Sequence, residues 1–320
     1  MRMFEQVRRV VERVTALLNT RWGRTVQHVV RWTVPILLLA IVARSLTQIG
    51  WLQVWNARPG ALGFYLVLFL PFFIQPLADL VIYRNLLRVG SALPLTVLLR
   101  KRYLNSVMLD YSGEAYFFFW ARRNLILENG VLVHAVKDSN VLSAGAGLVV
   151  IGLMLLAVVA TGILKLPAAV SSNLWALLSV GSLPLVLCLG LVLGGRRVTS
   201  LSRGKIAMTF AIHLTRSIAT LAFEFALWWL SGALPTATLC LAFVALRLLV
   251  TRLPLVPNKD LVFVGVGIAA AGMMNLSAPG VAAALVIITA AGQVQEFGLV
   301  GLPWLFDQFQ ARRRADQAAS

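Results

Sequence analysis

The chain has 320 residues, of which 59% are apolar and only 13% charged, yet its formal net charge is +17. A soluble domain carries about 25% charged residues, and a disordered chain of high charge is poor in apolar residues, so neither class fits. A soluble nucleic-acid binder is excluded as well, because its basic patch would ride on an average composition. What remains is a polytopic membrane protein whose charges are segregated from its apolar runs. Cys188 and Cys240 both fall in apolar runs, at a spacing that suits neither a metal site nor a disulfide framework.

In chain order, residues 1–32 hold seven Arg among scattered Val, Leu and Phe. That pattern suits an amphipathic helix on an anionic leaflet, with a frayed basic tail as the alternative. No small-residue cleavage site follows, so the first apolar run is expected to be retained. A span needs about 20 apolar residues, and eight candidates follow, at 33–55, 60–82, 140–164, 173–194, 206–230, 235–253, 261–276 and 279–301. The sixth and seventh are short and interrupted by Pro254, Pro257 and Asn258-Lys259-Asp260. Residues 33–301 thus form an integral membrane domain, followed by a basic tail over 302–320.

The stretch 83–139 is too polar for simple membrane and too apolar for a plain loop. It runs through Leu93-Pro94-Leu95, Arg100-Lys101-Arg102, Asp110-Tyr111-Ser112-Gly113-Glu114 and Tyr116-Phe117-Phe118-Phe119-Trp120. A re-entrant or interfacial helix pair would account for it, since irregular backbone at membrane depth must be buried in protein or line a wet cavity. The aromatic block is expected to be an interfacial anchor.

Basic residues set the orientation. With the N-terminus inside, 24 of the 29 Lys and Arg fall on the cytoplasmic side and only Arg58 and Lys165 on the other. Such a bias places both termini in the cytoplasm, in a bacterial-type inner membrane.

A short repeat divides the chain. Gly90-Ser91-Ala92-Leu93-Pro94 returns as Ser231-Gly232-Ala233-Leu234-Pro235. Each copy opens an apolar stretch that turns basic, breaks at a polar segment with an acid, and resumes as apolar sequence. Paired interrupted segments are the mark of a transporter's binding site; two unrelated short loops are the alternative. The predicted fold is therefore all-α, a polytopic bundle of about eight spans in two related halves with re-entrant or interrupted helices.

Around these segments the chain resembles the integral membrane domain of lysylphosphatidylglycerol synthases and their stand-alone, flippase-like relatives. The resemblance rests on Asn105 ahead of Asp110-Tyr111-Ser112-Gly113-Glu114 with Arg122-Arg123 beyond, and on Leu253-Pro254-Leu255-Val256-Pro257-Asn258-Lys259-Asp260. It covers about 35–300, more by arrangement of spans than by identity. Phe117 stands where the family's Arg would be, and Asn258 and Lys259 replace its glycines, so the chain resembles a divergent member. What the resemblance implies is binding and translocation of a lipid or glycolipid, with Asn105, Glu114 and Asp260 at the site; it does not imply the synthase activity of two-domain relatives.

Ionisable groups inside spans cost at least about 2.5–3.5 kcal/mol each and need partners, water or a purpose. His213, Arg216 and Glu224 fall on one helical stripe with Thr220. Arg216 and Glu224 are two turns apart, about 12 Å, so each must meet another segment. The stripe is expected to line a polar groove in which Arg216 holds a lipid phosphate and Glu224 meets Arg247 or Arg44; structural contacts between helices are the alternative. Asp79 is expected to pair with Arg84, and Glu114 to be either a buried carboxylate paired with Arg or a helix cap. The substrate-binding set is thus Arg216, Glu224, His213, Glu114, Arg247, Asn105 and Asp260.

No phosphate-binding loop, dinucleotide fingerprint, nucleophile elbow or zinc-protease motif occurs. No catalytic residue, cofactor or metal is therefore assigned. The partners expected are membrane lipids, in the anionic inner leaflet and as amphipathic cargo, with no nucleic acid and with homo-oligomerisation left open. Two rival functions stay open: a lipid-modifying membrane enzyme using Glu114, Glu224 or Asp260 as acid or base, and a non-transporting scaffold of an envelope or glycolipid assembly complex.

Overall fold

A computed structural model describes residues 33, 36–37, 39–107, 111–162, 199–251 and 259–309. The expected amphipathic segment 1–32, the span 173–194, Asp110, the break from Leu253 to Asn258 and the tail beyond 309 lie outside the described residues. Among the described residues, every regular element is helical.

The first expected span is two helices, α1 (Leu39–Ile49) and α2 (Trp51–Asn56). Gly50 divides them with φ 101°, a backbone conformation that a β-carbon disfavours. Next come α3 (Leu62–Val67) and α4 (Leu70–Leu87). Pro71 suits the first turn of α4, where no backbone donor is required, whereas Pro76 lies inside the helix and cannot donate to the Phe72 carbonyl. The stretch expected to be re-entrant or interfacial is a helical hairpin, α5 (Leu95–Val107) and α6 (Ser112–Asn124), running into α7 (Asn129–Ala160). The second half repeats this order of long, short, short, long: α8 (Arg203–Ser231), α9 (Ala237–Thr251), α10 (Lys259–Met273) and α11 (Ala278–Glu296), with a π-helical turn, Phe297–Gly301, continuing α11 to Phe309.

Among the described residues, four stretches are long and apolar enough to cross a membrane, namely Leu62–Leu87, Asn129–Ala160, Arg203–Ser231 and Ala278–Phe309. The expected spans over 235–253 and 261–276 are helices of 15 residues each, or about 22 Å, against the roughly 30 Å of a hydrocarbon core. Their ends explain the shortness. Gly232 closes α8 with φ 66° and Pro235 lies just before α9, while Asn275, with φ 53°, lies just past the end of α10.

The core has two main parts. One packs Tyr83, Leu98, Phe117 and Leu132 of α4 to α7; the other packs Trp228, Phe243, Phe263 and Leu285 of α8 to α11 together with α1 and α2. Helix α8 joins them, packing on α7, α4, α3 and α9. The outside is apolar: Leu52, Leu62 and Leu66 are 72%, 73% and 64% exposed. An apolar exterior of this extent fits a lipid-facing surface.

Candidate functional site: a buried ionic cluster

Helix α4 turns Phe72, Pro76, Asp79 and Tyr83 inward, at spacings that trace one helical face. The Asp79 carboxylate accepts a hydrogen bond from Lys101 Nζ at 2.7 Å and lies 3.7 Å from Arg216 Nη1. Lys101 also reaches Glu114 Oε1 at 3.2 Å and sits 5.2 Å from the Tyr83 ring centre. With Lys101 only 4% exposed, its ammonium is stable there because two carboxylates replace water.

The α5–α6 hairpin that carries this triad closes on a glycine. A β-carbon at Gly113 would stand 2.0 Å from the Lys101 carbonyl oxygen, so only glycine permits the approach. Asn105 latches the same crossing, accepting from the Gly113 N–H at 2.6 Å and donating to Glu114 Oε2 at 2.9 Å. The Ser112 hydroxyl donates to the Leu104 carbonyl at 2.7 Å.

The second half holds a matching set. Arg247 Nε lies 3.3 Å from Glu224 Oε1, and its Nη2 donates to Asp260 Oδ1 at 3.0 Å, with the guanidinium 5.4 Å from the Phe263 ring centre. In both halves a long helix supplies an acid, the next short helix a base, and the first turn of the following short helix a second acid, where the helix dipole favours it. Base and second acid are 13 residues apart in each, Lys101 to Glu114 and Arg247 to Asp260. The first acid precedes the base by 22 residues in one half and 23 in the other. The Ala-Leu-Pro copies lie between first acid and base in both, but Lys101 follows Pro94 by 7 residues and Arg247 follows Pro235 by 12.

Arg102 lies between the triads. Its Nη2 is 3.8 Å from Glu296 Oε1, its Nε is buried without a hydrogen-bond partner, and its guanidinium stacks 5.0 Å from the Phe72 ring centre. Glu296 is hydrogen-bonded by the Ser106 hydroxyl. Arg102 feels the charges of Glu296, Asp260, Arg247 and Arg216, two of them members of the second triad. A polar seam continues between α7 and α8: Ser139 Oγ and His213 Nε2 are 3.2 Å apart, and Arg216 Nη2 donates to Ser143 Oγ at 3.0 Å.

Every residue predicted for the site except His213 and Asn105 is thus an ion-pair member; His213 bonds Ser139, and Asn105 is the hairpin latch. Glu224 meets Arg247, one of its two expected partners, while Arg44 stays exposed. Three expectations change. Asp79 pairs with Lys101 and Arg216, because the Arg84 guanidinium is taken by the Leu93 carbonyl at 3.2 and 2.9 Å. The cation beside Glu114 is Lys101, and no Arg pairs with it among the described residues. Phe117, expected in an interfacial anchor, is fully buried against Tyr83 with ring centres 4.2 Å apart. Sequence reasoning missed Lys101, Arg102 and Glu296 as site members, because the basic run was counted as an orientation signal. The clue was geometric. Successive residues of a helix point about 100° apart, so Arg100-Lys101-Arg102 cannot share one face: Arg100 pairs with Asp307 at 2.7 Å while its neighbours turn inward. No family model, no curated protein and no solved structure matches the chain.

Proposed function

We propose that the chain is a multi-pass inner-membrane protein, with both termini cytoplasmic, that binds an amphipathic lipid and moves it across the bilayer. In this reading it is a divergent relative of the lysylphosphatidylglycerol synthase membrane-domain family, with α5–α6 and α9–α10 as interrupted, re-entrant pairs in two related halves. One observation carries the reading: charged side chains of α4, α5, α6, α8, α9, α10 and α11 meet inside a bundle whose exterior is apolar. Each such group is expensive at membrane depth, and intramembrane clusters of this kind mark substrate pathways. The headgroup occupies the cluster while the acyl chains stay in the hydrocarbon.

The test is the lipid that stays with the protein. Mass spectrometry of lipid retained through purification should find one class enriched over the bulk membrane, and that enrichment should fall in Arg216→Gln at normal protein yield. Retained lipid that mirrors the bulk membrane, or a loss of yield with no change in lipid, overturns the reading.

A further inference from the structure

The four cations of the cluster are not equally satisfied. Lys101 and Arg247 are each held by two carboxylates, at 2.7 and 3.2 Å and at 3.3 and 3.0 Å. Among the described residues, Arg102 and Arg216 each face a single carboxylate, at 3.8 and 3.7 Å, too far for a hydrogen bond. Both of those carboxylates have a closer partner: Ser106 for Glu296 and Lys101 for Asp79. The Arg216 guanidinium donates to a neutral hydroxyl, that of Ser143, and Arg102 Nε is buried with no hydrogen-bond partner among the described residues.

A guanidinium offers five donors in a fixed fork. The Arg102 guanidinium carbon lies 5.0 Å from the Phe72 ring centre, a cation–π contact that uses none of these donors. Both groups are reachable, at 26% and 17% exposure. Two incompletely paired guanidiniums, near enough to feel each other's charge, match the oxygens of a phosphate-type anion, which Arg binds bidentately.

We propose that Arg102 and Arg216 together bind a phosphate-type anion, presented as the headgroup of an amphipathic lipid or free in solution, while Lys101 and Arg247 are the fixed centres of structural triads. The proposal rests on the lipid-handling reading for its source of anion and adds Arg102 to Arg216 as a second headgroup cation. Glu296 and Asp79 compete with the anion and yield only their long contacts when it enters.

The full chain, purified in a phosphate-free maltoside, is titrated by calorimetry with inorganic phosphate and, separately, with dihexanoyl phosphatidic acid. The wild type should bind at least one probe saturably. Arg102→Gln and Arg216→Gln should each weaken binding at least about tenfold, and Arg102→Lys should restore only part of it, because an ammonium is a point charge. Glu296→Gln, which removes the competing carboxylate, should tighten it. Preference for the lipid identifies a headgroup; equal binding identifies free phosphate. No saturable binding of either probe, or unchanged affinity in Arg102→Gln, overturns the proposal. Should Arg102→Gln fail to fold, unchanged or weaker binding in Glu296→Gln overturns it instead. Anion binding without lipid translocation would sink the transport reading and keep this site; translocation indifferent to Arg102 would do the reverse.

Discussion

Replacing Lys101 with methionine keeps an unbranched apolar stem of similar length and removes the charge between Asp79 and Glu114. At an effective dielectric of about 20, a charge pair at 2.7 Å is worth roughly 6 kcal/mol and one at 3.2 Å roughly 5 kcal/mol, before desolvation is counted. Burying the ammonium offsets most of that. The deletion still leaves two nearly inaccessible carboxylates without their shared cation, and breaking a buried pair from one side costs about 3–5 kcal/mol. At about 2–4 °C per kcal/mol for a chain of this size, melting should fall by roughly 10 °C. Scanning fluorimetry of the tryptophans in detergent reads this directly. The neutral triple variant, Asp79→Asn with Lys101→Met and Glu114→Gln, should recover part of the loss, because no carboxylate of the triad stays charged and only Arg216 loses its 3.7 Å contact with Asp79. A Lys101→Met protein that melts no lower than wild type, or a triple variant as unstable as the single, would refute the claim that the triad is a coupled buried unit.

Three further outcomes follow from the same geometry. Gly113→Ala should drive α5 and α6 apart at the Lys101 carbonyl and lower stability by about 1–3 kcal/mol, whereas Gly60→Ala, with open space around it, should be nearly neutral by the same melting measurement. Arg247→Gln should destabilise by stranding Glu224, and adding Glu224→Gln should give back part of the loss; a double variant worse than the single contradicts the pairing. For the proposed orientation, cysteines placed at Arg58 and at Arg203 should react with a membrane-impermeant maleimide from opposite sides of sealed vesicles; labelling from the same side refutes it.

The helical class and the apolar exterior were legible because length and hydropathy are local properties. Helix α8 was legible too, with its stripe of His213, Arg216 and Glu224, since a single period of 3.6 fixes that face. What stayed hidden was pairing between segments. Asp79 with Arg84 is the natural guess from proximity along the chain, but the Leu93 carbonyl takes the Arg84 guanidinium and a residue 22 positions away takes the acid. The first span broke at Gly50 because a glycine inside an apolar run does not announce a positive φ. The repeat was visible in Ala-Leu-Pro, yet its chemical core is the acid–base–acid order, which tolerates a shift of register that strict sequence comparison does not.

The central claim is that a charged interior moves an amphipathic lipid between leaflets. Its most direct test is dithionite quenching of NBD-labelled phosphatidylglycerol in sealed phosphatidylcholine vesicles that carry the purified protein. The account predicts that wild-type protein exposes inner-leaflet label faster than empty vesicles do, and that Arg102→Gln and Arg216→Gln, folded and inserted to the same extent, slow that exposure. Quenching that stops at the outer-leaflet fraction with wild-type protein, as in empty vesicles, would contradict it.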